Sequence, residues 1–366
     1  MLPLDEIIPA GPVVLRPLHE DDADAIVRAC TDPEIVRFIP LVPLNYTRHD
    51  ALTFLELAKE SRKAGGAELA IGDRETGAWL GNIGIKPPSR YGGAEVGYMV
   101  APWARGRGVA TAALRALTAR AFAAGLPRTE LLIDVENAAS QQVAMAAGYR
   151  REAVVREVAA DRSGRRADMV LYSSLPGDTG EPARRYLPLF PGGELTDGVV
   201  RLAPLGLGDA VPYRELMSDP DVRSSLVAPD GPTAAEVERR CRHAVTEWLA
   251  GVRADIAIKD AATGEFAGDL QLAKVDPVLS EAMVGYSLAP GHRGKGFATR
   301  AVNLLAEWAF SHTPLVRLIA GTLPGNLASQ RVLARAGFER EAVLRNGLPV
   351  RGGGREDNVL WARLRP

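Results

Sequence analysis

The hydrophobic pattern of each half of this chain changes period several times, from the two-residue period of strands to the longer period of helices. In the first half, the stretch ELAIGDRETGAWLGNIGI begins at Glu68 and predicts a β-hairpin with its turn at Glu75-Thr76-Gly77. The stretch AEVGYMV from Ala94 alternates as a strand. The apolar positions that follow lie four, three and four residues apart, on one face of a predicted helix: Ala110, Leu114, Leu117 and Ala121.

A further strand, a short helix and a closing hairpin complete this half. TELLIDV from Thr129 predicts the strand, and ASQQVAMAAG predicts the helix, which Asn137 is placed to cap and Gly148 to end. REAVVREV and ADMVLYSSL form the hairpin. Helices and strands are interleaved, so the predicted fold class is α/β with a mixed sheet.

The same pattern occurs twice along the chain. VGYMVAP at Val96 returns as VGYSLAP at Val284, 188 residues later, and NAASQQVAMAAGY at Asn137 returns as NLASQRVLARAGF at Asn326, 189 residues later. So long a period indicates two tandem domains rather than a solenoid of short repeats. We predict a first domain over 1–175, a linker rich in Pro and Gly over 176–197, and a second domain over 198–366.

Composition narrows the class of protein. The 366 residues carry a net charge of −1, 46% of them are hydrophobic, and two are cysteines. The near-zero net charge gives no indication of a nucleic-acid partner. The cysteine count fits a reducing cytoplasmic setting. No apolar run approaches the ~20 residues of a membrane span. The five histidines have no metal-ligand spacing, so no metal site is expected.

Each predicted central helix is preceded by a glycine-rich basic hexad. Small residues before a helix N-terminus let the backbone N–H groups approach an anion, and the added positive charge suits a diphosphate. The pattern is not a Walker loop and is a poor match to a dinucleotide fingerprint. The alternative is a glycine-rich turn with solvated arginines, which two matched copies disfavour. The hexads are Arg105-Gly106-Arg107-Gly108-Val109-Ala110 and Arg293-Gly294-Lys295-Gly296-Phe297-Ala298.

At these hexads, together with the Asn-x-x-Ser segments that follow them, both halves resemble the GNAT superfamily of acyl-CoA-dependent N-acyltransferases, in particular its RimJ/RimL branch. The resemblance implies two tandem GNAT folds that use acetyl-CoA or another acyl-CoA, with the hexads on the diphosphate. It implies that the strands before the hexads pair with the pantetheine arm and polarise the thioester carbonyl. These strand residues are Tyr98-Met99-Val100 and Tyr286-Ser287-Leu288.

The resemblance also implies roles for two residues of each Asn-x-x-Ser segment. Asn137 and Asn326 are expected to contact the pantetheine. Ser140 and Ser329 are expected to protonate the departing thiolate.

An amine acceptor must lose a proton before it attacks a thioester, so the site also needs a base. Glu95, on the strand beside the expected thioester position, is the candidate in the first copy, with a surface carboxylate as the alternative. In the second copy Met283 occupies the matching position, and Glu281 is a displaced substitute on the same strand face. The carboxylate therefore favours chemistry in the first copy.

Two classes of function remain open. The first is an enzyme that moves an acetyl group from acetyl-CoA to a primary amine of a small molecule, such as an antibiotic or a metabolite, or to a peptide N-terminus. The second is a CoA-binding sensor or scaffold in which one or both copies are catalytically silent. The expected oligomeric state is a monomer or a homodimer.

Overall fold

The chain divides into two compact units, Met1–Arg184 and Arg185–Pro366. The computed structural model describes residues 7–183, 185–225, 231–350 and 354–366, so residue 184 of the predicted linker and the first six residues of the predicted first domain lie outside the described residues. None of the described helices is both long enough and apolar enough to cross a membrane.

The described residues of the first unit form eight strands and five α-helices. Its strands are β1 Ile8–Ala10, β2 Val13–Arg16, β3 Ala67–Asp73, β4 Trp79–Ile85, β5 Ala94–Val100, β6 Thr129–Asp134, β7 Arg150–Ala160 and β8 Arg166–Ser174. Its helices are α1 Ala23–Ala29, α2 Pro33–Phe38, α3 Arg48–Lys63, α4 Val109–Ala123 and α5 Ala138–Ala146.

The second unit repeats this series of elements in its described residues. Its strands are β9 Leu195–Thr196, β10 Val200–Pro204, β11 Ala254–Asp260, β12 Phe266–Asp276, β13 Glu281–Leu288, β14 Arg317–Thr322, β15 Glu339–Val350 and β16 Gly354–Leu364. Its helices are α6 Ala210–Ser218, α7 Pro220–Ser225, α8 Ala234–Leu249, α9 Phe297–His312 and α10 Leu327–Arg335.

The described residues of each unit form one eight-stranded mixed sheet. The order in the first is β1-β2-β3-β4-β5-β6-β8-β7, and the second has the same order of corresponding strands. Neighbouring strands are antiparallel except β5 with β6, and β13 with β14, which are parallel. The helix that joins each parallel pair is the one that follows the basic hexad, so the fold places the hexad at the C-terminal end of a central strand. The predicted α/β class with a mixed sheet is confirmed.

Helix α4 is buried along the face that its sequence predicts. Leu114, Leu117 and Ala121 are fully buried, whereas Ala110 at the start of the helix is half-buried. Ala113 completes the buried face, because the helical period of 3.6 residues brings it beside Leu117. This packing fixes the helix against the sheet and so fixes the direction in which its N-terminus points.

The second half of the segment predicted as a linker packs into the second unit. Leu187 and Phe190 are buried, and the Phe190 ring meets Trp248 and Trp308 edge-on, with ring centroids 4.8 and 5.1 Å away. The indole N–H of Trp248 donates to the carbonyl of Pro188 at 3.1 Å. The Pro and Gly content of this segment conceals a short apolar run that completes a core.

Candidate functional site

The two parallel strands of each unit separate soon after they begin to pair. In the first unit, β5 and β6 pair only at Ala94↔Thr129 and Glu95↔Glu130. In the second unit, β13 and β14 pair over their first three residues. Beyond these pairs the C-terminal part of β5, or of β13, borders an opening in the sheet, here called the strand gap.

The backbone of β5 turns two N–H groups toward the strand gap. The amide of Ala101 donates to the carbonyl of Leu80 at 2.9 Å, so Ala101 and, two residues earlier, Met99 bond to β4. Tyr98 and Val100 therefore point their N–H groups the other way, into the gap. An extended amide-containing ligand in the gap would find donors spaced like those of a strand edge.

The second unit has the same backbone geometry. The amide of Ala289 donates to the carbonyl of Ala267 at 2.9 Å. By the same alternation, Ser287 bonds to β12, and Tyr286 and Leu288 face the strand gap.

A tyrosine side chain reaches from each of these strands to the serine of the Asn-x-x-Ser segment. The hydroxyl of Tyr98 lies 2.7 Å from the Ser140 Oγ and 3.1 Å from the Ser140 carbonyl oxygen. In the second unit, the hydroxyl of Tyr286 lies 2.9 Å from the Ser329 Oγ. Burial raises the pKa of Tyr98, and it raises the pKa of Tyr286 to about 12, so both phenols stay protonated at neutral pH.

Sequence reasoning assigned Tyr98 and Tyr286 a role through their backbone only. Their hydroxyl contacts with the serines were missed. The available signal was the recurrence of Tyr and Ser, 42 and 43 residues apart, in both halves.

The asparagines expected to touch the pantetheine are helix caps in the structure. The Asn137 Oδ1 accepts from the Ser140 N–H at 3.0 Å, and the Asn326 Oδ1 accepts from the Ser329 N–H at 3.1 Å. An N-cap of this kind fixes the first turn of a helix. Each asparagine therefore positions the serine beside the tyrosine, and its side-chain amide N–H₂ is not used by the cap.

The hexads adopt the conformation that the glycines allow. Gly106 and Gly108 have φ of 74° and 72°, and Gly294 and Gly296 have φ of 73° and 82°. Helices α4 and α9 begin directly after Gly108 and Gly296, and neither start has a side-chain cap. The first N–H groups of each helix, which include those of Val109 and Ala110 or of Phe297 and Ala298, are the donors that an uncapped helix offers an anion.

The first arginine of each hexad is held in ion pairs with carboxylates of the helix region that precedes the hexad strand. Arg105 pairs with Asp32, the N-cap of α2, at 2.6 Å, and Arg293 pairs with Asp219 and Asp221, both at 2.7 Å. These arginines therefore tie the hexad to the preceding helices.

The other basic residue of each hexad is more available to a ligand. Arg107 lies 3.7 Å from Asp73 and is more than half exposed, and Lys295 is exposed. Arg107 and Lys295 are therefore more available to a diphosphate than Arg105 and Arg293, whose role in binding it stays a prediction.

Both carboxylates proposed as bases have cationic neighbours. The Glu95 Oε1 accepts from the Lys86 Nζ at 2.7 Å. The Glu281 Oε2 accepts from the Arg317 Nε at 2.6 Å. Glu95 lies three residues from Tyr98 on one strand, so the two side chains are on opposite faces of the sheet.

A carboxylate that sequence reasoning missed lies on the Glu95 face. Glu68 on β3 pairs with Gly84 on β4, which pairs with Gly97 on β5. Burial raises the pKa of Glu68 to about 7, against a smaller lowering by Lys86. A glutamate in an alternating strand carries no sequence signal of such an environment, because the two glycines beside it come from other strands.

Comparisons with known proteins agree with this architecture. The family model described as Acetyltransferase (GNAT) domain matches the chain over residues 13–150 and 200–339. The Bacillus subtilis (strain 168) protein named Probable N-acetyltransferase YjcK is 42% identical over 88 residues, which make up 24% of this chain and 48% of that protein. The chain spans about half the length of the curated relatives it matches.

Solved structures with a similar fold each cover about half of this chain. RimJ of Mycobacterium smegmatis in complex with CoA-disulfide is 27% identical, with a TM-score of 0.42 over 46% of this chain and 82% of that one. The ribosomal-protein-S5-alanine acetyltransferase of Vibrio fischeri is 22% identical, with a TM-score of 0.42 over 47% of this chain and 96% of that one.

Proposed function

Because the chain belongs to the acetyltransferase (GNAT) domain family, we propose that it transfers an acetyl group from acetyl-CoA to a primary amine, with the first unit as the catalytic one. Membership of this family confirms the resemblance that both halves carry in sequence. The acceptor is the amine of a small molecule or a peptide N-terminus, and the proposed setting is the cytoplasm, without a nucleic-acid or membrane partner. The chain acts as a monomer or a homodimer.

The observation that supports this proposal most strongly is the meeting of three features at one strand gap. The N–H groups of Tyr98 and Val100 face the gap, the Tyr98–Ser140 hydroxyl pair lies beside it, and the uncapped start of α4 follows the same strand. These features fit an acyl-CoA, whose diphosphate, amide-bearing arm and thioester need an anion site, backbone donors and a proton source respectively. Acetyl-CoA supplies the activated acyl group when it is bound.

In this proposal each group of the chain has one task. The N–H groups of β5 hold the thioester carbonyl and stabilise the negative charge that develops on its oxygen. The neutral amine forms the new bond to the carbonyl carbon while the carbon–sulfur bond breaks, and the nitrogen releases one proton, which replaces the proton that Ser140 gives up. Ser140 delivers a proton to the departing sulfur, and Tyr98 orients the Ser140 hydroxyl through their 2.7 Å contact.

A thiol-release assay on the full chain tests the activity. Acetyl-CoA is supplied with a panel of alkylamines, diamines, aminoglycosides and short peptides, and free CoA is measured with a thiol reagent. We expect release that depends on at least one amine, with the acetylated amine detected by mass spectrometry. Thiol release that is the same with and without each amine, or no thiol release at all, contradicts the proposal.

A second function is favoured for the second unit by one observation. Its strand gap, Tyr286–Ser329 pair and helix start repeat those of the first unit, but Met283 replaces the carboxylate that β5 carries. This combination fits a unit that binds CoA without turnover, as a sensor or a scaffold. Calorimetry with CoA, combined with the thiol-release assay on variants of each unit, separates binding from turnover.

A further inference from the structure

The Glu68 carboxylate lies in an unusual place on the sheet of the first unit. One of its oxygens stands 2.1 Å from the point where a Cβ on Gly84 would be, so the side chain lies flat across β4 toward β5. It is half-buried, and no hydrogen bond or ion pair from the described part of the chain reaches it. An acidic group held in this way lacks the partners that normally accompany burial of a carboxylate.

Open space adjoins this carboxylate on β5. A Cβ built on Gly97 meets no atom within 4 Å, and Gly97 is exposed. Gly97 directly precedes Tyr98, whose N–H faces the strand gap. We call this space, which is floored by Gly84 and Gly97 and flanked by Glu68, the Gly97 hollow.

The corresponding place in the second unit is filled. Asp255 on β11 pairs with Gln271 on β12, which pairs with Gly285 on β13, so the register is that of Glu68, Gly84 and Gly97. The Gln271 Nε2 lies 2.7 Å from the Cβ position of Gly285. Where the first unit has an open hollow, the second has a glutamine side chain.

The carboxylate that occupies the Glu68 position in the second unit is also neutralised. Asp255 is 2% exposed, and its Oδ1 accepts from Arg240 at 2.5 Å and from Arg253 at 2.9 Å. Both arginines also donate to the Gln271 Oε1, at 3.0 and 2.5 Å. Asp255 is therefore a structural ion-pair partner.

The first unit has no cation at the two matching positions. Helices α3 and α8 are both capped by a threonine, Thr47 and Thr233, and Arg240 lies seven residues after its cap, where the first unit has Phe54. Arg253 directly precedes β11, as Gly66 precedes β3.

We infer that the Gly97 hollow receives the acceptor amine in the first unit, that Glu68 is the base that takes its proton, and that the second unit has lost this acceptor site. This inference rests on the proposed acetyl transfer. The ammonium form of the acceptor gives one N–H proton to the Glu68 carboxylate, and the neutral amine then bonds to the acetyl carbon as the carbon–sulfur bond breaks. The nitrogen releases its second N–H proton, which replaces the proton that Ser140 gives to the departing sulfur. The proton on Glu68 leaves to solvent through the exposed side of the hollow.

The charged groups around Glu68 are consistent with this role. Lys86 and Glu95 lie on the same face and are bonded to each other, so Glu95 is already engaged by a cation. Helix α3, which packs on β3, buries Ala51, Leu55 and Ala58 and so presents an apolar face. Glu68 is thus the carboxylate on this face that remains available to an incoming ammonium ion.

The first test is Glu68→Gln in the full chain, with Glu75→Gln as the matched control. Glu75 is exposed at the turn of the same hairpin. For Glu68→Gln we expect kcat/KM for the amine to fall by about 10²-fold or more at pH 7, with CoA affinity unchanged, and the defect to shrink at high pH, where free amine exists without help. The acid limb of the wild-type pH profile should be absent in this variant.

The second test is Gly97→Ala, which changes the hollow without touching Glu68. The added methyl group has room, so the fold is retained, and we expect KM for the amine to rise several-fold while the Kd of CoA stays constant. Equal loss of CoA affinity would assign the hollow to the donor and overturn the inference. Full activity of Glu68→Gln would overturn the role of Glu68, whereas wild-type protein without amine-dependent thiol release would overturn the proposed function itself.

Discussion

At the scale of single residues, the serine of each Asn-x-x-Ser segment provides a test of which unit is catalytic. We expect Ser140→Ala to lower kcat by about 10²-fold or more, because the departing thiolate loses its proton donor. Stability should change little, since the Tyr98 hydroxyl keeps the Ser140 carbonyl oxygen as an acceptor at 3.1 Å. Kinetics and CoA calorimetry on the purified variant measure both effects.

Ser329→Ala is the matched control for that prediction. It removes the corresponding hydroxyl from the second unit, where the Tyr286 hydroxyl likewise keeps a carbonyl acceptor at 3.1 Å. We expect turnover to stay near the wild-type value. If Ser329→Ala abolishes turnover and Ser140→Ala does not, the second unit is the catalyst.

The burial of Glu68 has an effect on stability as well as on chemistry. Its pKa rises from 4.5 to about 7 on folding, so the ionised form is disfavoured in the folded state and the free energy of unfolding falls as pH rises through that window. Glu68→Gln removes this pH-dependent loss of unfolding free energy. We expect the variant to be more stable than wild type above pH 7, by at most about 3 kcal/mol, and the difference to vanish below pH ~4.5. Thermal unfolding across pH, with Glu75→Gln alongside, measures it.

Sequence reasoning reached some site residues and not others for a physical reason. Asn137 and Ser140 belong to one local motif, so the local pattern predicts the cap, and the resemblance implies the role of the Ser140 hydroxyl. The environment of Glu68 depends on Gly84 and Gly97, which two further strands bring beside it. Contacts across strands depend on register, and register is set by the whole sheet.

At the scale of elements, Asp32 links helix α2 to the hexad. Its carboxylate accepts from the Ile35 N–H at 3.1 Å as the N-cap and pairs with Arg105 at 2.6 Å. Burial raises the pKa of Asp32, but these two partners outweigh it and hold the pKa below its usual value. Asp32 therefore both caps the start of α2 and restrains the loop before α4.

Substitution at Asp32 separates these two tasks. We expect Asp32→Ala to lower the free energy of unfolding by about 1 kcal/mol, because it removes the cap, and Asp32→Asn to lower it less, because an amide oxygen still caps the helix. Both should weaken the restraint on Arg105. Denaturant titration measures the difference, and equal losses for the two variants would show that the cap contributes nothing.

Elements with a strong local pattern were predicted well. The hairpin of β3 and β4 turns at the predicted Glu75-Thr76-Gly77. Helix α4 was predicted to follow the hexad, and it begins at Val109, within the last two residues of the hexad. The early separation of β5 from β6 was not predicted, since the sequence of each strand fits continuous pairing.

At the scale of the whole molecule, the two hexads predict two independent CoA sites. We expect calorimetry to find two molecules of CoA per chain. Gly108 has φ of 72°, so Gly108→Val strains the start of α4 by about 1–2 kcal/mol and should remove one site only. Gly296→Val, at φ of 82°, is the matched change in the second unit.

The catalytic assay distinguishes the two glycine variants. Gly108→Val should lose amine-dependent thiol release, and Gly296→Val should retain most of it. Loss of both binding sites in either variant would mean that the units do not bind CoA independently.

The strand gap interrupts the hydrogen-bond ladder between two central strands of each sheet. Hydrogen exchange can detect this interruption. In β5 the amides of Met99 and Ala101 are bonded to β4, while those of Tyr98 and Val100 open onto the gap. Neighbouring amides of one central strand should therefore differ in protection, with fast exchange at Tyr98 and Val100 and slow exchange at Met99 and Ala101. A bound acyl-CoA arm should slow the first pair alone, so that the ligand completes the ladder of hydrogen bonds that the chain leaves open.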